Sequence, residues 1–126
     1  MMDVKIKFLR FPSTGDHAIV IARGRFDLRV LETLFAKLEI SATQLPDCKI
    51  LIDLQDAVYD LSPLQAYNFV NGLAPNSRLT ASKIALVSKP EIQAFDQIFL
   101  LCAFLSNSGF PVAVFRDAKE AARWLA

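Results

Sequence analysis

The sequence predicts an α/β fold, a mixed sheet that opens with an antiparallel hairpin and continues with alternating helices and strands. Two strand-like segments separated by a short turn come first, and segments of helical and strand periodicity alternate after them. The predicted order is β-β-α-β-α-β-α-β-α, with parallel interior strands and helices packed on the sheet. Because 126 residues with 53% hydrophobic content suffice for one core, we expect a single domain over residues 1–126.

The first two strands are predicted from their residue patterns. Val4, Ile6 and Phe8 alternate with lysines, which predicts a half-buried strand at or near the edge of the sheet. The segment Pro12 to Asp16 has the composition of a turn, and His17 to Ala22 is apolar on both faces, as in an interior strand. The short turn predicts that these two strands pair as an antiparallel hairpin.

The first helix and the next strand follow from a cap and from periodicity. Asp27 is placed to cap a helix that should end at a loop over Ser41 to Asp47, where Pro46 interrupts the pattern. The apolar residues of this helix recur at helical spacing, and they are Leu28, Leu31, Leu34, Phe35 and Leu38. Ile50 to Leu54 then has the pattern of an interior strand, and a short acidic loop is expected after it.

The second helix has a strong start signal. Ser62 is a favourable N-cap residue, Pro63 occupies the first helical position, and Gln65 falls where a capping box requires it. The elements expected after it are a loop-rich segment Asn71 to Ser82, a strand Ile84 to Val87, a helix Glu91 to Ser106 with a stop at Asn107 to Gly109, a strand Val112 to Phe115, and a last helix with Asp117 and Glu120 as its capping pair.

The third helix is apolar on two sides. The side expected to face the sheet carries Phe95, Ile98, Phe99, Cys102 and Leu105. Leu100 and Phe104, four residues apart, fall on the opposite side, where a helix on a sheet normally meets water. Two large apolar residues there indicate a small docking patch, unless neighbouring elements cover them or they are simply scattered exposed residues.

The composition argues against several classes of function. Charged residues make up 21% of the chain and nearly cancel to a net charge of +1, whereas a nucleic-acid binder normally shows a clustered basic surface. The longest strongly apolar run, Ile98 to Leu105, is far shorter than the roughly 18 residues of a membrane span. Cys48 and Cys102 have no partner at metal or redox spacing and no signal-peptide pattern is evident, so we expect a cytoplasmic protein.

The segment from Lys49 to Gln65 is the best candidate for a site, because it brings carboxylates and a hydroxyl to the C-terminal end of a strand. Asp53, Asp56 and Asp60 could hold a divalent metal or accept a phosphoryl group. Hard cations need several converging oxygens, however, and solvated loop charges are favoured. With one histidine (His17), no nucleophile elbow and no glycine-rich phosphate loop, the sequence predicts no enzyme, no metal and no cofactor.

The order of elements and two short motifs resemble the STAS domain, the fold of bacterial anti-sigma-factor antagonists and of the cytoplasmic tails of sulphate transporters. The motifs are the strand Ile50-Leu51-Ile52-Asp53-Leu54 with Ser62 opening the next helix, and the C-terminal Phe115-Arg116-Asp117 followed by Glu120-Ala121 and Trp124-Leu125. The resemblance implies a regulatory module in which a partner kinase phosphorylates a serine at this helix mouth and so releases a partner.

Ser62 is the position that matches the phosphorylated serine. The family tends to have aspartate before this serine and serine-glycine after it, whereas Leu61 and Pro63 stand here. A helix N-terminus suits a phosphate, but Pro63 removes one N–H that could hold it. The other interpretation of Ser62 is a capping residue that only stabilises the helix.

Our leading hypothesis is a non-enzymatic cytoplasmic interaction module that docks to a protein partner or to a second copy of itself. The expected binding residues are those of the second helix mouth and the outer face of the third helix, namely Tyr59, Asp60, Ser62, Pro63, Leu100 and Phe104. An alternative is a carrier for an apolar, lipid-like small ligand held between sheet and helices, with which ten phenylalanines are compatible. A third hypothesis is a hydrolase or phosphotransfer protein that uses Asp53.

Overall fold

Five strands and four helices make up the fold in a computed structural model of the chain, which describes residues 3–11, 15–45, 47–73, 75 and 77–126. The strands are β1 (Asp3–Phe11), β2 (Gly15–Phe26), β3 (Lys49–Tyr59), β4 (Ile84–Val87) and β5 (Val112–Phe115). The helices are α1 (Leu28–Gln44), α2 (Pro63–Leu73), α3 (Ile92–Asn107) and α4 (Ala118–Leu125), with a short 3₁₀ turn at Leu79–Ala81. The predicted order of elements is confirmed.

The strands form one mixed sheet in the order β1-β2-β3-β4-β5. β1 pairs antiparallel with β2, from Asp3 opposite Arg23 to Phe11 opposite Gly15, and every other pairing is parallel. The predicted hairpin is therefore confirmed, and β1 lies at the edge, as its lysines indicate.

Residues 12–14 of the predicted turn lie outside the described part of the chain. The rest of that turn is wrong, because Gly15 and Asp16 already belong to β2, which also continues past the predicted end at Ala22 to Phe26.

Alternate residues of the strands contact helices on opposite faces of the sheet, as the two-residue period of a strand requires. On one face, Ile84 and Leu86 of β4 belong to the large core that also contains buried residues of α1, α2 and α3. On the other face, Ala85 and Val87 pack with Ala121 and Leu125 of α4. Three helices thus cover one face, and α4 covers part of the other.

The strand β3 is longer than the sequence indicated. The predicted acidic loop after Leu54 is wrong, because β3 continues to Tyr59 alongside β2. The ladder slips by one residue on the way, since Ile21 lies opposite Asp53 but Arg23 lies opposite Asp56. This β-bulge places one extra residue in β3 and exchanges the faces to which its side chains point.

The helices α1, α2 and α4 begin where the sequence predicts, and α3 begins at Ile92, one residue after the predicted start. The predicted loop-rich segment from Asn71 is wrong over its first three residues, because α2 continues to Leu73.

The Asp27 carboxylate caps α1 by accepting a hydrogen bond from the N–H of Val30 at 3.1 Å. The predicted loop from Ser41 is wrong over its first four residues, because α1 continues to Gln44. The hydroxyl groups of Ser41 and Thr43 donate to carbonyls of the preceding turn, which satisfies them inside the helix. Within the described ranges, no helix is long and apolar enough to cross a membrane.

The burial of α1 gives a test of its orientation. Replacing Leu34 with alanine should lower the free energy of unfolding by about 2–5 kcal/mol, because this side chain is only 2% exposed and its truncation leaves a cavity. The matched change Ile40→Ala, at 64% exposure on the same helix, should cost less than about 0.5 kcal/mol. Urea unfolding followed by circular dichroism measures both values. Equal losses in the two variants would contradict this orientation of α1.

Candidate functional site

The mouth of α2 is the segment that connects β3 to α2, from Val58 to Gln65. Its path is fixed at two points. The N–H of Asp60 donates to the carbonyl of Phe26 at 2.9 Å, and Leu61 is buried in the core. The residues on either side of Leu61 are therefore held at the surface by backbone and core contacts.

Ser62 opens α2 with the capping box that the sequence predicts. The N–H of Gln65 donates to the Ser62 hydroxyl oxygen at 3.1 Å, and the N–H of Ser62 donates to the Gln65 side-chain oxygen at 3.0 Å. Ser62 and Pro63 are exposed, and the next residue, Leu64, is 67% exposed. The Ser62 hydroxyl is thus both accessible and fixed in position, which suits either a capping role or modification.

The carboxylates of Asp53, Asp56 and Asp60, the three aspartates between Lys49 and Gln65, do not converge on one point. Asp60 forms an ion pair with Arg25, with 2.5 Å between the carboxylate oxygen and the guanidinium Nε, and this hydrogen bond raises the pKa of Arg25. Asp56 faces Arg23 at 4.0 Å, while Asp53 accepts a hydrogen bond from the N–H of Gln55 at the bulge. Among the described residues, no group of three or more histidine, cysteine, aspartate or glutamate side chains is placed to hold a metal ion.

Tyr59 is half-buried and supports the mouth of α2 from the core side. Its ring is half-buried against the core and stacks on Phe26, with 6.4 Å between ring centroids and 15° between ring planes. Burial raises the pKa of the Tyr59 hydroxyl to about 12. The raised pKa reflects the burial of the hydroxyl, since a tyrosine of ordinary pKa is also neutral at physiological pH. The packed ring fixes the end of β3.

The outer face of α3 meets α2 at an aromatic contact. Phe104 is half-buried and packs edge-on against Tyr67 of α2, with 5.4 Å between ring centroids, while Leu100 is 36% exposed. Tyr67 lies one turn after the exposed Leu64, on the same side of α2. The exposed side of α2 thus joins the two predicted binding regions. We call Leu64, Tyr67, Leu100 and Phe104 the α2–α3 surface.

Leu64 and Tyr67 were not among the predicted contact residues, although their spacing of three residues places them on one side of a helix. The prediction that Phe99 faces the sheet is wrong, because Phe99 is 54% exposed, whereas Leu101 is buried. The buried residues of α3 are Ile98, Leu101, Cys102 and Leu105. This stripe lies closer to the Phe104 side of the helix, where α3 contacts Tyr67 of α2, than the predicted stripe does. Phe99 instead stacks on the half-buried Phe95, over which the guanidinium of Arg116 lies.

A groove runs between the end of β3 and the N-terminal half of α3. It has a volume of about 180 Å³, with an apolar floor that includes Leu54 and Ala57 of β3 and Ile98 of α3. Lys89, Glu91, Gln93 and Gln97 supply its polar rim. The groove is open to water along its length, and it lies on the opposite edge of β3 from β2.

A small cavity lies beneath the sheet-facing side of α1, between that helix and the short turn at Leu79–Ala81. Its volume is about 10 Å³, and Leu38, Cys48 and Ile50 are among its lining residues. This space holds at most one water molecule. It does not offer the room that a lipid-like ligand between sheet and helices would need.

The fold of this chain is similar to that of a solved structure. No protein-family model matches the chain. No curated protein matches it. Among solved structures, an uncharacterized protein of the DUF3478 family with a SpoIIAA-like fold, from Shewanella loihica PV-4, aligns over 100% of this chain and 96% of its own, with 20% sequence identity and a TM-score of 0.66.

The chain has a SpoIIAA-like fold. This confirms the STAS-like architecture expected from the strand at Ile50 and the helix opening at Ser62. The alignment covers both chains almost completely, so the likeness includes the hairpin, all the parallel strands and the covering helices. In this chain the α2 mouth follows the carboxyl end of β3, and in open α/β sheets ligands often bind at the carboxyl ends of strands.

The capping box of this SpoIIAA-like fold predicts a moderate loss of stability on removal of the Ser62 hydroxyl. Ser62→Ala should lower the free energy of unfolding by about 1 kcal/mol, because the N–H of Gln65 loses its partner. Ser106→Ala, at an exposed position on α3 where the side chain takes no part in a cap, should change it by less than about 0.5 kcal/mol. Urea denaturation of the two variants gives the comparison, and an unchanged midpoint for Ser62→Ala would show that the cap is not formed in solution.

The burial of Tyr59 predicts a pH effect at the alkaline end. In a Tyr67→Phe variant, Tyr59 is the remaining tyrosine, and its ionisation should have a midpoint near pH 12, against an ordinary value of about 10. Because the folded state holds this proton more tightly, the associated stability is present below pH 10 and is lost as the pH rises through 12. Ultraviolet absorbance titration measures the midpoint, and a value near 10 would mean that the ring is solvated.

Proposed function

We propose that this protein is a non-enzymatic regulatory module that docks to a protein partner through the mouth of α2 and the α2–α3 surface. The observation that carries the proposal is the placement of Ser62, an exposed hydroxyl fixed by a capping box beside the exposed Leu64. Interfaces of this kind combine apolar anchors with polar groups of defined position. Of the residues predicted from the sequence, Asp60, Ser62, Leu100 and Phe104 are the proposed contacts, with Leu64 and Tyr67 added, while Tyr59 and Pro63 support the mouth of α2.

Each residue has a distinct role in the proposal. The α2–α3 surface (Leu64, Tyr67, Leu100 and Phe104) supplies the apolar area that a partner would remove from water. Asp60 and its partner Arg25 contribute a polar rim, worth little energy but able to orient the partner, because the pair is exposed. Tyr59 and Pro63 hold the mouth in shape, through ring stacking and a fixed backbone angle.

Phosphorylation of Ser62 is the switch that we propose for this surface. A phosphate would bring about −1.5 to −2 charges next to the apolar contact residues Leu64 and Tyr67. The positive end of α2 would stabilise it, although Pro63 removes one N–H donor. Asp60 adds a like charge nearby in the chain, with Arg25 partly compensating it. A partner that fits the unmodified apolar surface would therefore be released.

A cytoplasmic location is part of the same proposal. Cys48 and Cys102 are buried and form no disulfide, and burial raises the pKa of both thiols. Unbridged cysteines are compatible with a reducing compartment, where a regulatory module would meet a kinase and its partner.

One surface feature of the described residues supports the carrier hypothesis. A groove of about 310 Å³ lies between β1 and α1, with Val4, Val30 and Leu34 as its floor and with Arg29 and Lys37 among its lining residues. Apolar floor and cationic rim would suit an anionic amphiphile such as a fatty acid. Native mass spectrometry of freshly purified protein tests this, because a carrier should retain an apolar adduct and Lys37→Glu should lose it.

The docking proposal is tested by affinity capture from the native host, followed by identification of bound proteins. Leu100→Asp and Ser62→Glu should each reduce recovery of the specific partner by at least about tenfold, because one removes an apolar contact and the other adds a charge. Ile40→Asp and Thr33→Glu introduce the same side chains at exposed positions of α1 and should leave recovery unchanged. Circular dichroism checks that all four variants fold.

Two outcomes would contradict the proposal. One is equal recovery of every captured protein by wild type, Leu100→Asp and Ser62→Glu. The other is a monomer that captures nothing at any accessible concentration.

A further inference from the structure

The end of β3 extends beyond the rest of the sheet on one side. β4 pairs only with Ile50 to Asp53 of β3, and after Val87 the chain stays with β5, since the N–H of Ser88 donates to the carbonyl of Phe115. On its other side, β3 remains paired with β2 as far as Tyr59. We call Leu54 to Tyr59 the β3 overhang. It has a neighbouring strand on one edge and the groove described above on the other.

The hydrogen-bonding groups on the open edge belong to Ala57 and Tyr59. Amide groups of successive residues in a strand point to opposite edges, and the N–H of Asp60 points to β2, where it meets the carbonyl of Phe26. Ala57 and Tyr59 therefore direct their N–H and C=O groups away from β2. The same conclusion follows from their side chains, which belong to the core as do those of Ile50 and Ile52. Ile50 directs its N–H to Lys83, on the β4 side.

No described residue completes these hydrogen bonds on the groove side. These groups face the groove because of the bulge. Before it, the even-numbered residues of β3 direct their backbone N–H and C=O groups away from β2; after the extra residue, β3 pairs with β2 again, and the odd-numbered residues do so. Two N–H and two C=O groups thus lie along one wall of an open groove. Such an unpaired edge is a template for another strand.

The opposite wall and the floor of the groove suit an extended peptide. Ala94, Gln97 and Ile98 of α3 face the overhang, so a strand laid beside β3 would have apolar contacts beneath it and amide side chains along its outer edge. Val58 points to the other face of the sheet and is exposed, which leaves it available to alternate side chains of an added strand. The rim carries one lysine and one glutamate, and the lining therefore favours an uncharged segment.

We infer that the partner presents an extended, uncharged segment with aliphatic residues at alternate positions, which adds to the sheet beside the β3 overhang. This inference rests on the proposed docking function and specifies the form of the partner. Up to four main-chain hydrogen bonds to Ala57 and Tyr59 provide the register, and the floor at Leu54 and Ile98 selects the side chains. Because the overhang leads directly into the α2 mouth, the bound segment would end beside Asp60 and Ser62.

The first test is amide hydrogen exchange in the protein alone. The N–H groups of Ala57 and Tyr59 should exchange at least about tenfold faster than that of Asp60, which is bonded to Phe26. Slow exchange of Ala57 and Tyr59 at every protein concentration would overturn the inference, because the edge would then be occupied within the fold. Protection that grows with protein concentration would also overturn it, because a second copy of the chain would be the occupant.

The second test uses a phage-displayed library of random peptides of about ten residues, selected on the purified protein. A selected peptide should slow exchange at Ala57 and Tyr59 when it is added at saturation. Ala57→Pro removes one donor on the open edge and leaves the pairing with β2, so it should weaken binding about five- to tenfold. Ala57→Gly keeps the N–H group and should bind within about twofold of wild type.

A variant on the other wall covers the case in which Ala57→Pro does not fold. Ala94→Trp fills the groove from α3 and should abolish peptide binding, whereas Asp96→Trp adds the same side chain on the outer side of that helix and should not. Failure to select any peptide, or selection of peptides that leave Ala57 and Tyr59 unprotected, would overturn the inference. Partner capture that depends on Leu100 and Ser62 could still succeed in that case, so the two proposals fail separately.

Discussion

The register slip in the β2–β3 ladder sets the path of the chain from β3 into α2. One extra residue in β3 lets the strand continue beside β2 for five more residues, to Tyr59 opposite Phe26. It also directs Ala57 and Tyr59 toward the helices and Val58 toward the opposite face. Without the slip, the strand would expose Ala57 and Tyr59 and bury Val58. The bulge therefore determines where α2 starts and what the groove beside β3 contains.

Much of the fold could be predicted from local patterns, because local patterns decide it. The strands at Ile50 and Ile84 are apolar runs of strand length, and the cap at Asp27 acts within three residues. The end of β3 could not be predicted in this way. Gln55 and Asp56 have the composition of a loop, and only the neighbouring β2, more than 20 residues away in sequence, keeps them extended.

In the candidate site, too, the features that could be predicted join residues close in sequence, and the features that were missed join residues far apart in sequence. The capping box of Ser62 and Gln65 spans three residues and is visible in the sequence. The ion pair of Arg25 with Asp60 joins residues 35 apart, and the contact of Tyr67 with Phe104 joins two different helices. Helical periodicity places Phe99 toward the sheet within a broad arc, but packing of α3 against α2 sets the actual rotation. Contacts between separate elements depend on how the elements are arranged in space. The periodicity of one segment carries no information about that arrangement.

The two cysteines have a consequence for chemistry at the surface. Only a thiolate reacts readily with alkylating reagents or disulfides, and burial at Cys48 and Cys102 disfavours both ionisation and access. Oxygen and maleimide dyes should therefore leave the native chain largely untouched. A third cysteine installed at an exposed position would be the reactive sulfur, so a fluorophore could be attached there without first removing the other two.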